Sequence, residues 1–227
     1  MTSSPHLDAA GRNLVAAAVA AAEEQSSGEI LTIFTAKSDD YNDVALVWSA
    51  AIALAALVVI TTFSDFYLGL WSHILGHWGE GWNAHEILSM ASVIATLKFL
   101  GTWLILQWRP LRFWLTPGVL KQKRVRARAV TCFKVGAERR TVGSTGILIY
   151  LSFAERRAEI VADSAIAGKV APEVWGDALA TLLSGIKSGD MAAGLAGAVE
   201  KVGAVLAEHF PRSNADRNEI PDSLIEV

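Results

Sequence analysis

The chain has 227 residues, of which 52% are hydrophobic and 19% charged, and its mean hydropathy is +0.34. This length allows one domain of ordinary size with a membrane segment and excludes two full soluble domains. The formal net charge of -3 gives no indication of nucleic-acid binding, and the single cysteine, Cys132, excludes an intrachain disulfide.

The amino-terminal segment, residues 1–43, predicts the first part of an interrupted α/β domain. Apolar residues within residues 7–22 repeat at helical spacing, which indicates an amphipathic helix kept in the mature protein rather than a cleaved signal peptide. A Ser-Ser-Gly sequence ends this helix, and residues 29–37 are apolar and β-branched enough for a buried strand. Glu29 is interpreted as a structural residue at the start of that strand.

Two long apolar segments predict a transmembrane hairpin over residues 44–108. Residues 44–63 contain no charge, proline or glycine, and at about 1.5 Å per residue they match a hydrocarbon core of roughly 30 Å. Residues 87–107 form the second span, with Lys98 near its middle, where an unpaired cation costs roughly 2.5–3.5 kcal/mol. We interpret Lys98 either as an intramembrane contact with a partner subunit or as a lysine that snorkels to the surface.

Basic residues predict the orientation of this hairpin. Residues 64–86 contain no lysine or arginine, whereas the segment after the second span is dense in both. The basic residues of that segment are Arg109, Arg112, Lys121, Lys123, Arg124, Arg126 and Arg128. Basic loops remain in the cytoplasm, so we expect both termini and the soluble domain to be cytoplasmic and the basic segment to contact membrane lipid.

The outward connection between the spans is rich in aromatic residues, which indicates an interfacial belt. It also contains His73, His77 and His85 with Glu80. Histidines four residues apart on a helix can share a metal ion, but they also occur as ordinary interfacial residues. Both interpretations stay open.

Residues 109–211 predict the second part of the α/β domain. The predicted elements are a helix over residues 118–135, strands over residues 145–153 and 158–162, and helices that begin at Pro172 and after Asp190. Together with residues 1–43 they predict an α/β sandwich, a mixed sheet of three to four strands flanked by helices. Residues 212–227 predict a flexible tail.

Three strings of this sequence carry a resemblance to the TPM domain, a family found in thylakoid-lumen, photosystem-repair and receptor-auxiliary proteins. TGILIYLS and ERRAEIVAD resemble its second half, and AAAEEQSSGEILTIFTAKSDDY resembles its opening. The resemblance implies a βαβ-type sandwich and, with the hairpin, a membrane-anchored member in a bacterial inner membrane. Some members of the family are acid phosphatases, some bind calcium, and others are assembly or auxiliary factors of membrane complexes.

Acidic residues at predicted strand ends are the candidate metal ligands. Asp39 and Asp40 follow the first strand, and Asp163 follows the third, where the family also has an acidic residue. If these strand ends lie side by side, the carboxylate oxygens would converge on a calcium or magnesium ion. The structural alternatives are a turn or cap residue for Asp163 and a solvated linker for Asp39 and Asp40.

The sequence assigns no catalytic residue, because it contains neither a P-loop nor a Cys-x5-Arg signature. Our first hypothesis is therefore a non-enzymatic assembly or auxiliary factor with a membrane-protein partner. The alternative is an acid phosphatase-like enzyme that depends on calcium or magnesium. A third, an intramembrane sensor or channel subunit around Lys98, is not favoured by two spans without a polar stripe.

Overall fold

The protein is described here by a computed structural model over residues 7–76, 81–136, 144–212 and 224–226. Its chain divides into an α/β unit, Met1–Asp39 with Gly118–Val227, and a helical unit, Asp40–Pro117. The elements of the α/β unit are α1 (Ala9–Glu23), β1 (Glu29–Thr35), α6 (Gly118–Gly136), β2 (Gly146–Ser152), β3 (Arg157–Ala162), α7 (Ser164–Ala167), a 3-10 turn (Pro172–Trp175), α8 (Gly176–Ser188), α9 (Met191–His209) and β4 (Ile225–Glu226). Those of the helical unit are α2 (Asn42–Thr62), α3 (Ser64–Leu75), α4 (Ala84–Ile105) and α5 (Arg109–Leu115).

The described strands form one four-stranded sheet in the order β3-β2-β1-β4. β1 runs parallel to β2 with Glu29 opposite Gly146, while β3 runs antiparallel to β2. Every residue of β1 and β2 is buried, as expected for central strands made of apolar runs. The predicted mixed α/β class, with a mixed sheet of up to four strands, is confirmed.

Helices cover both faces of the sheet, because alternate strand residues point to opposite sides. On one face α1, α8 and α9 pack against residues such as Ile30 and Phe34 of β1. On the other face α6 contributes Val125, Ala129 and Phe133, which pack against strand residues of the opposite parity, including Leu31. The sheet is therefore the middle layer of the α/β unit.

Helices of the α/β unit begin and end at local capping interactions, including the predicted start after Asp190. Asp8 Oδ1 accepts the Gly11 amide at 2.7 Å at the start of α1, and Asp190 Oδ1 accepts the Ala193 amide at 3.0 Å at the start of α9. α8 ends at Gly189 with φ +83°, a conformation that glycine adopts without strain. The segment at Pro172, predicted to begin a helix directly, starts as the 3-10 turn before α8.

The chain end forms a short strand, which corrects part of the expectation of a flexible tail. Ile225 and Glu226 pair with β1 in parallel, opposite Ile33 and Phe34. Leu224 is buried in the same core as α1 and α9. The edge of β1 offers unpaired backbone groups, which a short terminal strand can satisfy. Residues 213–223 of the predicted tail lie outside the described residues.

In the helical unit, α2 and α4 pack against each other. They have 21 and 22 residues with mean hydropathies of 2.5 and 1.6, so both are long and apolar enough to cross a membrane. None of the residues of α4 is buried, and in α2 the buried ones are Val44, Ala45, Ser49 and Ala53. Asn83 and Glu86 form a reciprocal capping box at the start of α4.

Candidate functional site

The structure does not bring together the three acidic residues predicted as metal ligands. Asp39 follows the carboxyl end of β1, whereas the amide of Asp163 donates to the carbonyl of Gly146 at 2.8 Å, at the amino end of β2. β1 and β2 are parallel and seven residues long, so these positions are separated by about 20 Å of strand. The expectation assumed adjacent strand ends, but the antiparallel direction of β3 carries Asp163 to the opposite end of the sheet.

Asp39 and Asp163 have structural partners. Asp39 Oδ2 lies 3.3 Å from Arg124 Nε, an ion pair that joins the segment after β1 to α6. Asp163 Oδ1 accepts the Ser164 amide at 2.6 Å as the cap of α7. The Asp163 side chain is 8% exposed, and its Oδ2 has no hydrogen-bond partner within the described residues. A cap with one unsatisfied buried oxygen is the observed role of Asp163.

Glu29, interpreted from the sequence as a structural strand residue, lies across the sheet from Asp163. Glu29 and Asp163 both neighbour Gly146, one on each side, and the alternation of strand residues places both carboxylates on the α6 face. Gly146 contributes no side chain between them, and their Cα atoms lie about 10 Å apart, two strand spacings. Glu29 is 5% exposed. The register of three strands brings Glu29 and Asp163 to either side of Gly146, and the sequence alone does not give this register.

Glu29 and Asp163 are two residues at this end of the sheet that could offer oxygens to a hard cation on the α6 face. Calcium takes six to eight oxygen ligands, so two carboxylates cannot complete its coordination shell by themselves. Within the described ranges, no group of three histidine, cysteine or acidic residues is placed to hold a metal ion. The unsatisfied Asp163 oxygen is a suitable ligand for a cation. The described residues at this end supply too few ligands to form a metal site.

A polar network that no pattern in the sequence predicts lies at the other end of the sheet. The Ser38 amide donates to Glu155 Oε1 at 3.2 Å, and Ser38 Oγ lies 2.9 Å from Ser152 Oγ and 3.1 Å from the Tyr150 hydroxyl. Ser152 Oγ in turn donates to Glu155 Oε2. The parallel pairing of β1 with β2 brings Ser38 and Ser152 together, and the turn after β2, with Arg156 at φ +49°, returns Glu155 to them.

Burial controls the protonation of the groups around this network. Burial raises the pKa of Tyr150, while its hydrogen bond with Ser38 opposes that change. Burial lowers the pKa of Lys121, the charge of Glu155 opposes this, and Arg157 adds to it. Burial also raises the pKa of the Cys132 thiol, against the charge of Arg128. Tyr150 and Cys132 are therefore neutral at physiological pH.

The network closes the end of the sheet. Ser152 is fully buried and Glu155 is 7% exposed, so the hydroxyl that touches the carboxylate offers no surface to a substrate. Each hydroxyl has a partner, which removes the cost of burying it. Ser152 and Glu155 resemble a nucleophile and its base in residue type only. A nucleophile must be accessible to its substrate as well as hydrogen-bonded to a base.

The remaining predicted site residues, Lys98 and the histidines, belong to the helical unit and lie at different positions in it. Lys98 is an exposed residue of α4. His73 lies in the last turn of α3 and His85 near the start of α4, while His77 and Glu80 lie outside the described residues. The possible histidine metal site therefore stays a prediction.

The sequence indicates for Arg112 only a role as a basic residue that predicts orientation, but its side chain is 6% exposed and has a structural contact. Its Nη1 donates to Asn42 Oδ1 at 2.7 Å, which ties α5 to the first residue of α2. Next to this contact, Tyr41 has φ +52° and packs edge-on against Phe113 with 5.8 Å between ring centroids. Arg112 therefore stabilises the entrance of the hairpin within the helical unit.

Comparisons with known proteins bear on the fold. No protein-family model matches the chain, and no curated protein matches it. The chain is similar to the NMR structure of the BA42 protein from the psychrophilic bacterium Bizionia argentinensis, with a TM-score of 0.56 and 17% identity over 100% of this chain and 99% of that chain. Similarity at this identity shows the fold alone, and the resemblance to the TPM domain stays an interpretation of the sequence.

Proposed function

We propose that the protein is a membrane-anchored α/β module of the TPM type that serves a membrane complex as a non-enzymatic assembly or auxiliary factor. The observation that carries this proposal is the position of the helical unit in the chain, since Asp40–Pro117 is inserted between the neighbouring strands β1 and β2. The α/β unit is thus connected through both ends of the membrane-length hairpin. Such a connection keeps a soluble module at the bilayer, where membrane proteins assemble.

The exposed apolar surface of α4 supports membrane anchoring. In water such a surface would promote aggregation, whereas lipid tails or other membrane helices would cover it favourably. Its exposed large residues are Ile87, Leu88, Val93, Leu97, Leu100, Trp103, Leu104 and Ile105.

The basic helix α6 supports a cytoplasmic location for the α/β unit, as the positive-inside rule predicts. Lys123, Arg126 and Arg128 are exposed, and each basic residue close to an anionic leaflet contributes about 1 kcal/mol. In this proposal both termini lie in the cytoplasm of a bacterial cell, and α6 contacts lipid headgroups of the inner membrane.

The chemistry of the sheet ends supports a role without catalysis. At one end the hydroxyl of Ser152 is buried against Glu155. At the other end Asp163 caps a helix and lies far from Asp39 along the strands. The alternative of a phosphatase dependent on calcium or magnesium stays a prediction from the sequence, without a described cluster of ligands that favours it.

The proposal is tested on the full-length protein, tagged at its carboxyl terminus and cross-linked in its native membrane before detergent extraction. We expect it to co-purify with an integral membrane complex and to hydrolyse no phosphate monoester in the presence of calcium or magnesium. The matched variant is Asp163→Ala. A wild-type protein that purifies alone and hydrolyses substrate, with turnover lost in Asp163→Ala, would overturn the proposal in favour of the enzyme.

A further inference from the structure

Lys98 interrupts an otherwise uncharged stretch of the second membrane-length helix. It lies twelve residues after Glu86 and eleven before Arg109, the nearest charged residues on either side. At about 1.5 Å per residue, these distances correspond to roughly 18 Å and 16 Å along a helix. If α4 spans the bilayer, as the proposed function requires, Lys98 lies deep in the hydrocarbon region.

Nothing in the described part of the chain compensates this charge. Lys98 is exposed on a helix that has no buried residue, and it forms no hydrogen bond or ion pair with the described residues. The carboxyl end of α4, at Ile105, is seven residues away, about 10 Å along the axis. The four-carbon stem of lysine is shorter than this distance, so snorkelling leaves the ammonium group within the apolar region.

We propose that Lys98 is the contact point for a membrane helix of a different protein, and that this partner helix carries an aspartate or glutamate at the depth of Lys98. This inference rests on the proposed function and specifies the chemistry of the partner. A lysine in a membrane span is stabilised by pairing with an opposite charge inside a helix bundle. The required partner therefore has an intramembrane carboxylate rather than a purely apolar helix.

A second copy of this chain does not meet this requirement. In α2 the acidic residue is Asp43, and in α4 it is Glu86, both in the first turn of their helix. Neither residue lies at the depth of Lys98 in a copy with the same orientation in the bilayer. The charge pattern of this chain thus favours a heteromeric contact.

Small residues lie on both sides of Lys98 along the same side of α4, and the position of Gly101 is open. Gly101, one turn further along, would meet nothing within 4 Å if it carried a Cβ, and Ala91 and Ala95 occupy the same face on the other side of Lys98. Small residues allow helix backbones to approach closely in membranes. A partner helix could thus bring its carboxylate next to the Lys98 ammonium group.

The test uses the full-length protein in its native membrane with a photo-reactive residue at Gly101. Leu100, which is two residues from Lys98 and therefore on the opposite side of α4, is the matched control position. We expect the probe at Gly101 to cross-link to a membrane helix of another protein, and mass spectrometry of the product to place an aspartate or glutamate in the middle of that helix. The probe at Leu100 should give little of this product.

Charge variants then test the pairing. Lys98→Leu makes α4 more apolar, so membrane insertion is retained, while the yield of the cross-link should fall by about threefold to twentyfold, the range for a polar contact between membrane helices. Lys98→Arg should retain the product. Lys98→Glu should lose it, and a lysine in place of the partner carboxylate should restore it.

The inference is overturned by cross-links to a second copy only, by cross-links to lipid only, by a partner helix without an intramembrane carboxylate, or by an unchanged yield in Lys98→Leu. If one of these results occurs while the complex still co-purifies, only the inference fails. If the wild-type protein co-purifies with no membrane complex, the proposed function fails as well.

Discussion

Glu155 illustrates how a single side chain joins segments that are distant in the sequence. Its two carboxylate oxygens accept hydrogen bonds from the Ser38 amide and the Ser152 hydroxyl, and so connect the segments that follow β1 and β2. Such bonds contribute little net stability when they form, but a buried donor that loses its partner keeps its full desolvation cost. Glu155 is therefore more important for folding than its position in a turn indicates.

Replacing Glu155 with alanine should lower the free energy of unfolding by about 1–3 kcal/mol, since the Ser38 amide and the Ser152 hydroxyl lose their acceptor. Glu155→Gln keeps an acceptor oxygen and should lose less. Cys132, the single cysteine, allows thermal unfolding in detergent to be followed with a thiol-reactive dye. Glu173→Ala, at an exposed position, is the control, and an equal melting temperature for Glu155→Ala and this control would contradict the prediction.

The thiol of Cys132 should react slowly with alkylating reagents in the native protein. Its pKa is raised above the usual 9.0 by burial, so folding favours the protonated form. The corresponding stability is present below about pH 9 and declines as the pH rises through the folded-state pKa. Iodoacetamide kinetics against pH should thus give a higher midpoint for native than for denatured protein. Coincident midpoints would show that the thiol is not buried in solution.

At the scale of secondary-structure elements, α8 and α9 approach so closely that only glycine fits where they meet. A Cβ added to Gly194 would lie 2.8 Å from Gly185 Cα and 3.1 Å from the Leu182 carbonyl oxygen. The first distance is too short for two carbon atoms in van der Waals contact, and the second is tight for a carbon beside an oxygen. This close packing brings α8 and α9 onto the same face of the sheet with α1.

Gly194→Ala should therefore destabilise the α/β unit by about 1–3 kcal/mol, because backbone atoms of α8 would have to move. Gly176→Ala provides the contrast, since a Cβ at Gly176 meets nothing within 4 Å and alanine favours helix by about 1 kcal/mol. Chemical denaturation of the two purified variants compares these effects. Similar midpoints for both variants would mean that α8 and α9 are farther apart than described.

Most of the elements could be predicted because their signals are local. Asp8 and Asp190 mark helix starts through their caps, Gly189 marks a helix end, and continuous apolar runs mark β1 and β2. β4 was missed because two residues carry too little periodicity, and its pairing with β1 depends on an edge formed by distant parts of the chain.

For the whole molecule, the proposed orientation in the membrane makes a direct prediction. With Cys132 replaced by serine, single cysteines at Gly81 and Ser188 report on the connection between the spans and on the α/β unit. Both positions are exposed. In spheroplasts an impermeant maleimide should label Gly81→Cys at once and Ser188→Cys only after permeabilisation. The reverse pattern would place the α/β unit outside the cytoplasm.

The candidate site shows where prediction from the sequence ended. Asp39, Asp40 and Asp163 were grouped because each follows a strand, yet the direction of β3 separates Asp163 from Asp39. Ser38 and Ser152, which the sequence did not single out, meet because β1 and β2 are parallel neighbours. A residue's place at a strand end is a local property, whereas its neighbours depend on strand direction and order.

The sequence by itself determined the α/β class, the longer helices and strands of the α/β unit and the two membrane-length apolar helices, because periodicity, caps and hydropathy act within one or two turns of chain. Only the tertiary structure decided which polar groups meet. In the folded chain Glu29 and Asp163 lie on either side of Gly146, and Ser152 is buried against Glu155. Lys98 remains exposed on α4. These relations depend on sheet register and on helices packing across long chain separations, for which no single segment of sequence carries the information.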